Sequence, residues 1–574
     1  MTPASAPDGN QPRAPRALAG AAVGVLAAAV AIGASQLAAG LTVPQSSPVL
    51  AVGQTAIDLT PLPVKNFAIS TFGSGDKTAL LAGILVLLAL YAAWVGTRAI
   101  RRLSSGLWGL SLFAFIGLYA ALNRPGSSPV YVVPTLAGAA AGAFTLTRLA
   151  RAAARLGGSA ARPRNPDRSP AAPPAPRALT PPDLPASPGV PAPPDGPAPP
   201  GSSFTFLPNP DDEGPPRGPD RRRFLVTSGV AAAAAAAGTL AGRELGMQRD
   251  VTRARAALRF PRPAIAAPPL PAGSNLNIPG LSSFITPNSS FYRVDTALIL
   301  PQVNPSTWRL RIHGMVRREV TITFAELLKR PLIEDYVTLT CVSDPVGGPY
   351  VGNAKWLGAS LTALIRQARP LAGADQLLCT SVDGFTSGTP LPVALDGRDA
   401  LLAVAMNGAA LPVAHGFPAR MVIPGLYGYV SATKWVTDIE VTTFATAAAY
   451  WASRGWSQQA PIKTESRVDV PAIGASLRPG PTPVAGVAWA QHKGIAAVEV
   501  RVDRGPWHEA RLAAVPGIDT WRQWVWEWPA TPGHHLLESR ATDQSGYTQT
   551  AAQARPDPDG ASGYPSSTVT VTGS

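Results

Sequence analysis

Four apolar stretches crowd the first 150 residues, at roughly 17–41, 78–97, 106–122 and 130–150. Each is near the ~20 residues a helix needs to cross a bilayer. Lipid offers no hydrogen bonds, so a lone spanning segment must satisfy its own backbone, and helix is the form open to it. Tyr91, Trp94, Trp108 and Tyr131 fall towards the ends of these stretches, where amphipathic rings settle at an interface. The first stretch is rich in Ala and Gly and also reads as a buried soluble helix.

Arginine placement sets an orientation. Arg13 and Arg16 precede the first stretch, Arg98, Arg101 and Arg102 separate the second from the third, and Arg148, Arg151, Arg155, Arg162, Arg164 and Arg168 follow the fourth. The other connections hold only Lys65, Lys77 and Arg124. The positive-inside rule then puts the N-terminus and residues 151–220 in the cytoplasm. The formal charge of +14 could suit nucleic acid, but mean hydropathy is +0.11 and the charges flank apolar runs. A membrane partner is expected, and no nucleic acid.

Residues 161–220 contain 21 prolines and almost no large apolar side chains. Such a segment cannot bury enough surface to offset its ordering entropy, so 151–220 reads as an extended cytoplasmic linker. At 220 begins "DRRRFLVTSGVAAAAAAAGTLAG". Arg221-Arg222 followed by Phe224-Leu225 and a weakly apolar helix resembles a twin-arginine export signal, although Asp220 and Val226 depart from that pattern. An ordinary fifth span is the other reading of 221–246. Both put the rest of the chain outside a bacterial cell membrane, and the export reading has the next domain folded and loaded before it crosses.

Two cysteines leave no CxxCH for c-type haem and too few thiolates for an iron–sulfur cluster. None of the six histidines falls in a span, so a b-type haem is not expected there either. A disulfide between Cys341 and Cys379 is open in an oxidising compartment. From about 270, short alternating runs are separated by Gly/Pro turns. "TWRLRIHGMV" reads as a strand, "TFAELLKRP" as a short helix with Thr323 as N-cap, and "YVTLTC" as a strand ending at Cys341. A cysteine there is either core filler or a ligand at a pocket mouth.

"CVSDPVGGPYVGNAKWLG" at 341–358 is preceded by "TPNSSFYRVDTALILPQVNPSTWRLRIHGMV" at 286–316 and followed by "HGFPARMVIPGLYGYVSATKW" at 415–435. In this order the three resemble the molybdopterin domain of the sulfite oxidase family over about 270–445. The likeness continues more weakly into 452–574, where the family has an immunoglobulin-like dimerisation domain. "GIAAVEVRVDRGPWHEARLA" and "WRQWVWEWP" alternate as sandwich strands do. The expected architecture is therefore an α-helical membrane bundle (1–150), the linker (151–220), the twin-arginine-like motif with a fifth helix (221–246), an α+β molybdopterin domain with the sulfite oxidase fold (247–448) and an all-β immunoglobulin-like sandwich (449–574).

The resemblance implies a molybdenum–molybdopterin cofactor and a membrane-anchored oxidoreductase moving an oxygen atom or two electrons on the outer face. Molybdenum held by a pterin dithiolene accepts one more soft anionic sulfur, and Cys341 occupies the family's position for it. Cys379 does not, and reads as core. The cofactor's phosphate calls for cations and hydroxyls. The resemblance carries over Tyr292, Arg293, His415, Arg420, Ser431, Thr433 and Lys434, with Ser381 a weaker match. For Arg420 a structural ion pair, for His415 a turn histidine and for Lys434 a solvated strand residue stay open.

Two departures bear on substrate. Sulfite-oxidising members carry an arginine soon after the ligand; here Val342-Ser343-Asp344 follow, and an acid would repel an anion. A tyrosine near the metal is replaced by Phe385 in "DGFTSGTP". Lys355 is the nearby cation that would stand in, with Arg293 and Cys341 completing the catalytic set. A neutral sulfoxide or N-oxide suits this better than sulfite. The electron partner is expected to be a separate quinone or cytochrome, and the sandwich to support a homodimer. Two other readings stand beside this one: a thiol hydrolase with Cys341 as nucleophile and His415 as base, and a non-catalytic immunoglobulin-like binding module on a membrane anchor.

Overall fold

The computed structural model describes residues 14–43, 46–61, 64, 76–124, 128–158, 219–247 and 251–573. The linker expected at 151–220 lies outside them from 159 to 218. Six helices come first: α1 (Ala14–Leu41), α2 (Pro48–Leu59), α3 (Asp76–Arg101), α4 (Leu103–Leu122), α5 (Val133–Gly158) and α6 (Pro219–Met247). All but α2 are long and apolar enough to cross a membrane. They cover the four expected stretches and the fifth.

The chain divides into two compact units. The first takes residues 1–32, 87–112 and 138–237. Its core gathers Val23, Ala27, Val95, Ala99, Leu146 and Leu149. Glycine sets the approach of α1 to α3: a Cβ on Gly24 would overlap the Ala92 carbonyl, and one on Gly96 the Gly20 carbonyl. Close backbone contact through small residues is how apolar helices associate without a hydrophobic drive.

The second unit takes 33–86, 113–137 and 238–574. The end of α1 lies along the end of α6, where Gly238 and Gly242 abut the backbone at Gly33 and Gln36. Beyond, ten strands build the central domain: β1 (Arg309–Gly314), β2 (Val320–Thr323), β3 (Leu332–Thr340), β4 (Val351–Ser360), β5 (Gln376–Ser381), β6 (Thr386–Pro390), β7 (Leu401–Met406), β8 (Ala409–Ala410), β9 (Arg420–Val422) and β10 (Val436–Thr442). One sheet runs β2-β1-β10-β5-β6; the other runs β3-β4-β7-β8, with β9 on β7. The short helix after β2 starts in a capping box, with Glu326 N–H on the Thr323 hydroxyl at 3.1 Å and the Glu326 carboxylate on Thr323 N–H at 2.8 Å. Residues 336–340 of β3 are buried without alternation, which is why "YVTLT" is apolar or hydroxylic throughout.

Nine strands follow: β11 (Glu465–Val470), β12 (Ser476–Leu477), β13 (Gly480–Trp489), β14 (Ile495–Val502), β15 (His508–Glu509), β16 (Arg511–Leu512), β17 (Arg522–Ala530), β18 (Gly533–Asp543) and β19 (Ser566–Val571). They form sheets β11-β13-β17-β16 and β12-β19-β18-β14-β15. Val484 and Trp524 of the first sheet share a core with Val498, Val500, Leu537 and Val569 of the second. Both cysteines are free, so the open disulfide does not form. Cys379 is core, within β5.

Candidate active site

Antiparallel pairing of β3 with β4 brings Cys341 and Tyr350 together across a turn, and Cys341 N–H donates to the Tyr350 carbonyl at 2.9 Å. The Ser343 N–H points at the Cys341 sulfur from 3.5 Å. That contact favours an anionic sulfur, but burial is the larger influence and pushes the thiol up to about 11. Without a metal the sulfur therefore keeps its proton, and metal binding would displace it.

Asp344 is buried rather than exposed, and its negative charge still bears on Cys341 and Tyr292, raising both. It is 3% exposed, and Tyr350 N–H donates to its Oδ1 at 2.8 Å, which closes the turn from inside. Burial raises it to about 7. A carboxyl held above its usual value near 4 binds its proton more tightly folded than unfolded, so it costs stability as pH rises from about 4 through 7. Asp344→Asn keeps the Oδ1 acceptor. It should raise stability at pH 8 by about 1–3 kcal/mol and change little at pH 4, as urea melts at the two pH values would show. A loss at pH 8 would mean the carboxylate is needed as an anion.

The remaining positions converge from three distant segments. Arg420, in β9, is buried. Its guanidinium donates to the carbonyls of Met421 (3.3 Å), His415 (3.2 Å) and Ala432 (3.2 Å) and lies 5.0 Å from the centroid of the Trp356 ring. Among the described residues no carboxylate pairs with it, so the structural ion pair considered above is absent. Burial lowers it to about 10. Lys434 Nζ donates to Asp295 Oδ2 (2.7 Å) and the Ala414 carbonyl (3.3 Å). Burial lowers Lys434 to about 8, against the pull of Asp295. Arg293 is more open and also pairs with Asp295, at 2.7 Å.

His415 contacts the Asn288 carbonyl at 3.3 Å through Nε2, which therefore carries the ring proton. Burial first, then Arg420 and Lys434, hold it down to about 4, so it is neutral near pH 7. Gly416 sits at φ 109°, where a Cβ would lie 2.9 Å from Arg420 Cβ and 3.2 Å from Lys434 Cα. Glycine is needed there for the two cations to approach. Burial and then Cys341 raise the Tyr292 phenol, while Arg420 opposes them, so Tyr292 feels both the thiol and a cation.

Ser381 is buried, and its hydroxyl has no hydrogen-bond partner. Ser431 and Thr433 differ: Ser431 donates to the Leu426 and Tyr427 carbonyls, and Thr433 meets Ser387 at 2.5 Å. Lys355 does not join the group. It pairs with Glu334 at 2.8 Å, five residues along the strand direction from Tyr350, about 17 Å away. Phe385 lies against Tyr450, with ring centroids 5.8 Å apart. Asp295 was not singled out from sequence; its signal was the spacing from Arg293, since residues two apart in extended chain share a side.

Arg293 and Lys434 thus share one carboxylate, Asp295, and Arg420 has none, a surplus of two positive charges. That surplus, an orphan buried hydroxyl at Ser381 and a single sulfur at Cys341 fit a phosphorylated ligand bringing its own metal. No group of three or more Cys, His, Asp or Glu able to hold a metal occurs among the described residues. A separate cleft of about 550 Å³, lined by Ser282, Thr286 and Arg467, is a poor anion site. Its Arg467 is already bound to Asp469 (2.6 Å) and to the Gly348 carbonyl (3.0 Å).

Residues 297–451 match the family described as oxidoreductase molybdopterin binding domain. Residues 297–451 are thus a molybdopterin-binding oxidoreductase domain, and the chain is similar to proteins of the sulfite oxidase family. Sulfite oxidase of Gallus gallus is 31% identical over 291 residues, covering 42% of this chain and 62% of that protein. Mitochondrial sulfite oxidase of Mus musculus is 28% identical over 288 residues, covering 43% and 52%. The chain thus spans little more than half the length of these relatives. Nitrate reductase [NADH] 1 of Oryza sativa subsp. japonica is 34% identical over 187 residues, covering 28% of this chain and 20% of that protein. The sulfane dehydrogenase SoxCD of Paracoccus pantotrophus aligns in structure with a TM-score of 0.44 at 21% identity, over 49% of this chain and 80% of that one.

Proposed function

We propose that the chain is a membrane-anchored molybdenum-cofactor oxidoreductase that transfers an oxygen atom or two electrons on the outer face of a bacterial cell membrane. The observation that carries this is Arg420, a buried cation without a carboxylate, whose charge acts on Tyr292 as that of Cys341 does. An unpaired buried charge is costly, and an anionic ligand would offset that cost. Arg420, Lys434, Arg293 and Ser381 would hold the phosphate, neutral His415 would line the pocket, and Cys341 would bind the metal. The bound metal supplies the two-electron chemistry. The chain contributes a buried sulfur fixed at the end of β3, with Tyr292 near it.

The five long apolar helices support anchoring, and the arginine distribution supports a cytoplasmic N-terminus with the catalytic domain outside. Arg221 and Arg222 support export as a folded, loaded domain. The paired sheets of 465–571 support an immunoglobulin-like sandwich, and a homodimer through it is proposed on the resemblance alone. Electrons would be exchanged with a separate quinone or cytochrome. The thiol-hydrolase reading has less support: no hydrogen bond joins Cys341 to His415 among the described residues, and neither group is charged near pH 7.

Full-length protein from a host that makes molybdopterin should carry about one molybdenum per chain; folded, metal-free protein from that host would end the proposal. The loaded enzyme should reduce a neutral sulfoxide faster than it oxidises sulfite. The cations near Cys341 are taken up by Asp295 and the cofactor phosphate, and Phe385 offers no hydroxyl. A kcat/KM for sulfite of about 10⁶ M⁻¹s⁻¹ or more would overturn that preference.

A further inference from the structure

The segment after the site's Tyr292 and Arg293 runs as "VDTALILP" (294–301), apolar apart from Asp295 and Thr296. Val294 is 44% exposed and Ile299 59%, which is unusual for β-branched aliphatics so near a buried charge cluster. Between them, Leu298 turns onto α2. At Gly53 of α2, the place a Cβ would take lies 3.0 Å from Leu298 Cδ1, 3.7 Å from Ile84 Cδ1 and 3.8 Å from Leu81 Cδ2. Side chains from two other segments thus meet over one glycine of α2.

Two of them belong to α3, whose apolar run begins at Ala79. At 1.5 Å per residue, Ile84 lies about 7.5 Å into that run. Leu298 Cδ1 and Ile84 Cδ1 both lie within 4 Å of the place a Cβ on Gly53 would take, which puts Leu298 near the same level. An apolar segment resting about 5–10 Å into the headgroup and acyl boundary is bound as interfacial helices are. A second contact holds this arrangement. Tyr450 Oη donates to Asp58 Oδ1 of α2 at 2.8 Å, the Arg454 guanidinium lies 3.6 Å over the Tyr450 ring, and Arg454 Nη2 reaches Asp58 Oδ1 at 3.9 Å. Tyr450 N–H in turn donates to Thr386 Oγ1 at 2.9 Å, which ties the clamp to the Asp383–Thr386 loop. The orientation from arginine counts, reached without these contacts, puts α2, the start of α3 and everything after α6 on one side of the membrane.

We infer that the catalytic domain lies against its own bilayer, with Val294–Leu300 inserted at the lipid interface and α2 clamped to it through Asp58, Tyr450 and Arg454. The partner of this surface is the lipid itself. Val294 and Ile299 meet acyl chains, and Leu298 seals the loop to α2 and α3. The inference rests on the reading of α3 as a membrane span, and the test separates the two.

Full-length protein with Ile299→Cys, labelled with an environment-sensitive fluorophore, is placed in nanodiscs containing nitroxide lipids. The native cysteines are both buried. A second variant, Val86→Cys on the exposed face of α3, reports on the span itself. Shallow nitroxides should quench the Ile299 probe at least twofold, and mid-chain nitroxides the Val86 probe. Quenching at Val86 without quenching at Ile299 overturns the inference and leaves the span standing. No quenching at either site removes the span reading and the inference with it. Asp58→Ala should at least halve the quenching at Ile299 with Val86 unchanged; an unaltered Ile299 signal would overturn the clamp.

Discussion

Cys341→Ser should abolish turnover and change the visible spectrum of the loaded enzyme, with the fold retained. A serine oxygen is hard and stays protonated, so it is a poor substitute for a soft sulfur ligand. The substitution is small, and the backbone bond from residue 341 to the Tyr350 carbonyl does not depend on the side chain. Far-UV circular dichroism and melting temperature should therefore stay near wild type while activity falls at least a thousandfold. Activity within tenfold of wild type would show that the sulfur is not the metal's ligand.

Arg420→Met should act with opposite sign on the empty and the loaded protein. Without cofactor, the wild-type guanidinium is buried against three carbonyls and an indole face, with no counter-charge. A methionine of similar reach removes that uncompensated charge, so the cofactor-free variant should be as stable as wild type or more so, by about 1–4 kcal/mol. With cofactor the same change deletes a charge-assisted contact to the phosphate and should cost about 3–5 kcal/mol of binding. Molybdenum content after gel filtration should fall to a small fraction of wild type. Equal destabilisation of both forms would assign Arg420 to packing alone.

Much of this was legible in sequence because it depended on local pattern. The helices over 14–41 and 219–247 follow from unbroken apolar runs, and the capped turn at Thr323 from the Thr-x-x-Glu spacing. Cys341 at a strand end followed from β-branching before a Gly/Pro turn. What sequence did not carry was direction. Asp344 read as a charge near the substrate, but a turn of this length brings the Tyr350 N–H back to it and draws it inside. Lys355 is close to Cys341 in number, yet a strand extends about 3.3 Å per residue and carries it away to Glu334. Asp295 escaped notice because its two partners, Arg293 and Lys434, come from segments more than a hundred residues apart.

The same separation governs when the site can exist. β1 pairs in parallel with β10, Arg311 opposite Asp438, whereas β3 and β4 are joined by a short turn. The entropy of loop closure rises with the logarithm of loop length, so the long pairing costs about 2 kcal/mol more than the short one. Non-local pairings of this kind also form slowly. Cys341 and its turn can therefore form early, but Arg420 and Lys434 reach the Tyr292–Asp295 segment only after most of the domain has closed. A chain emerging stepwise has the sulfur and Arg293 and lacks Arg420 and Lys434. Cofactor capture is thus a late event in folding, and a loaded domain is one whose longest loop has already shut.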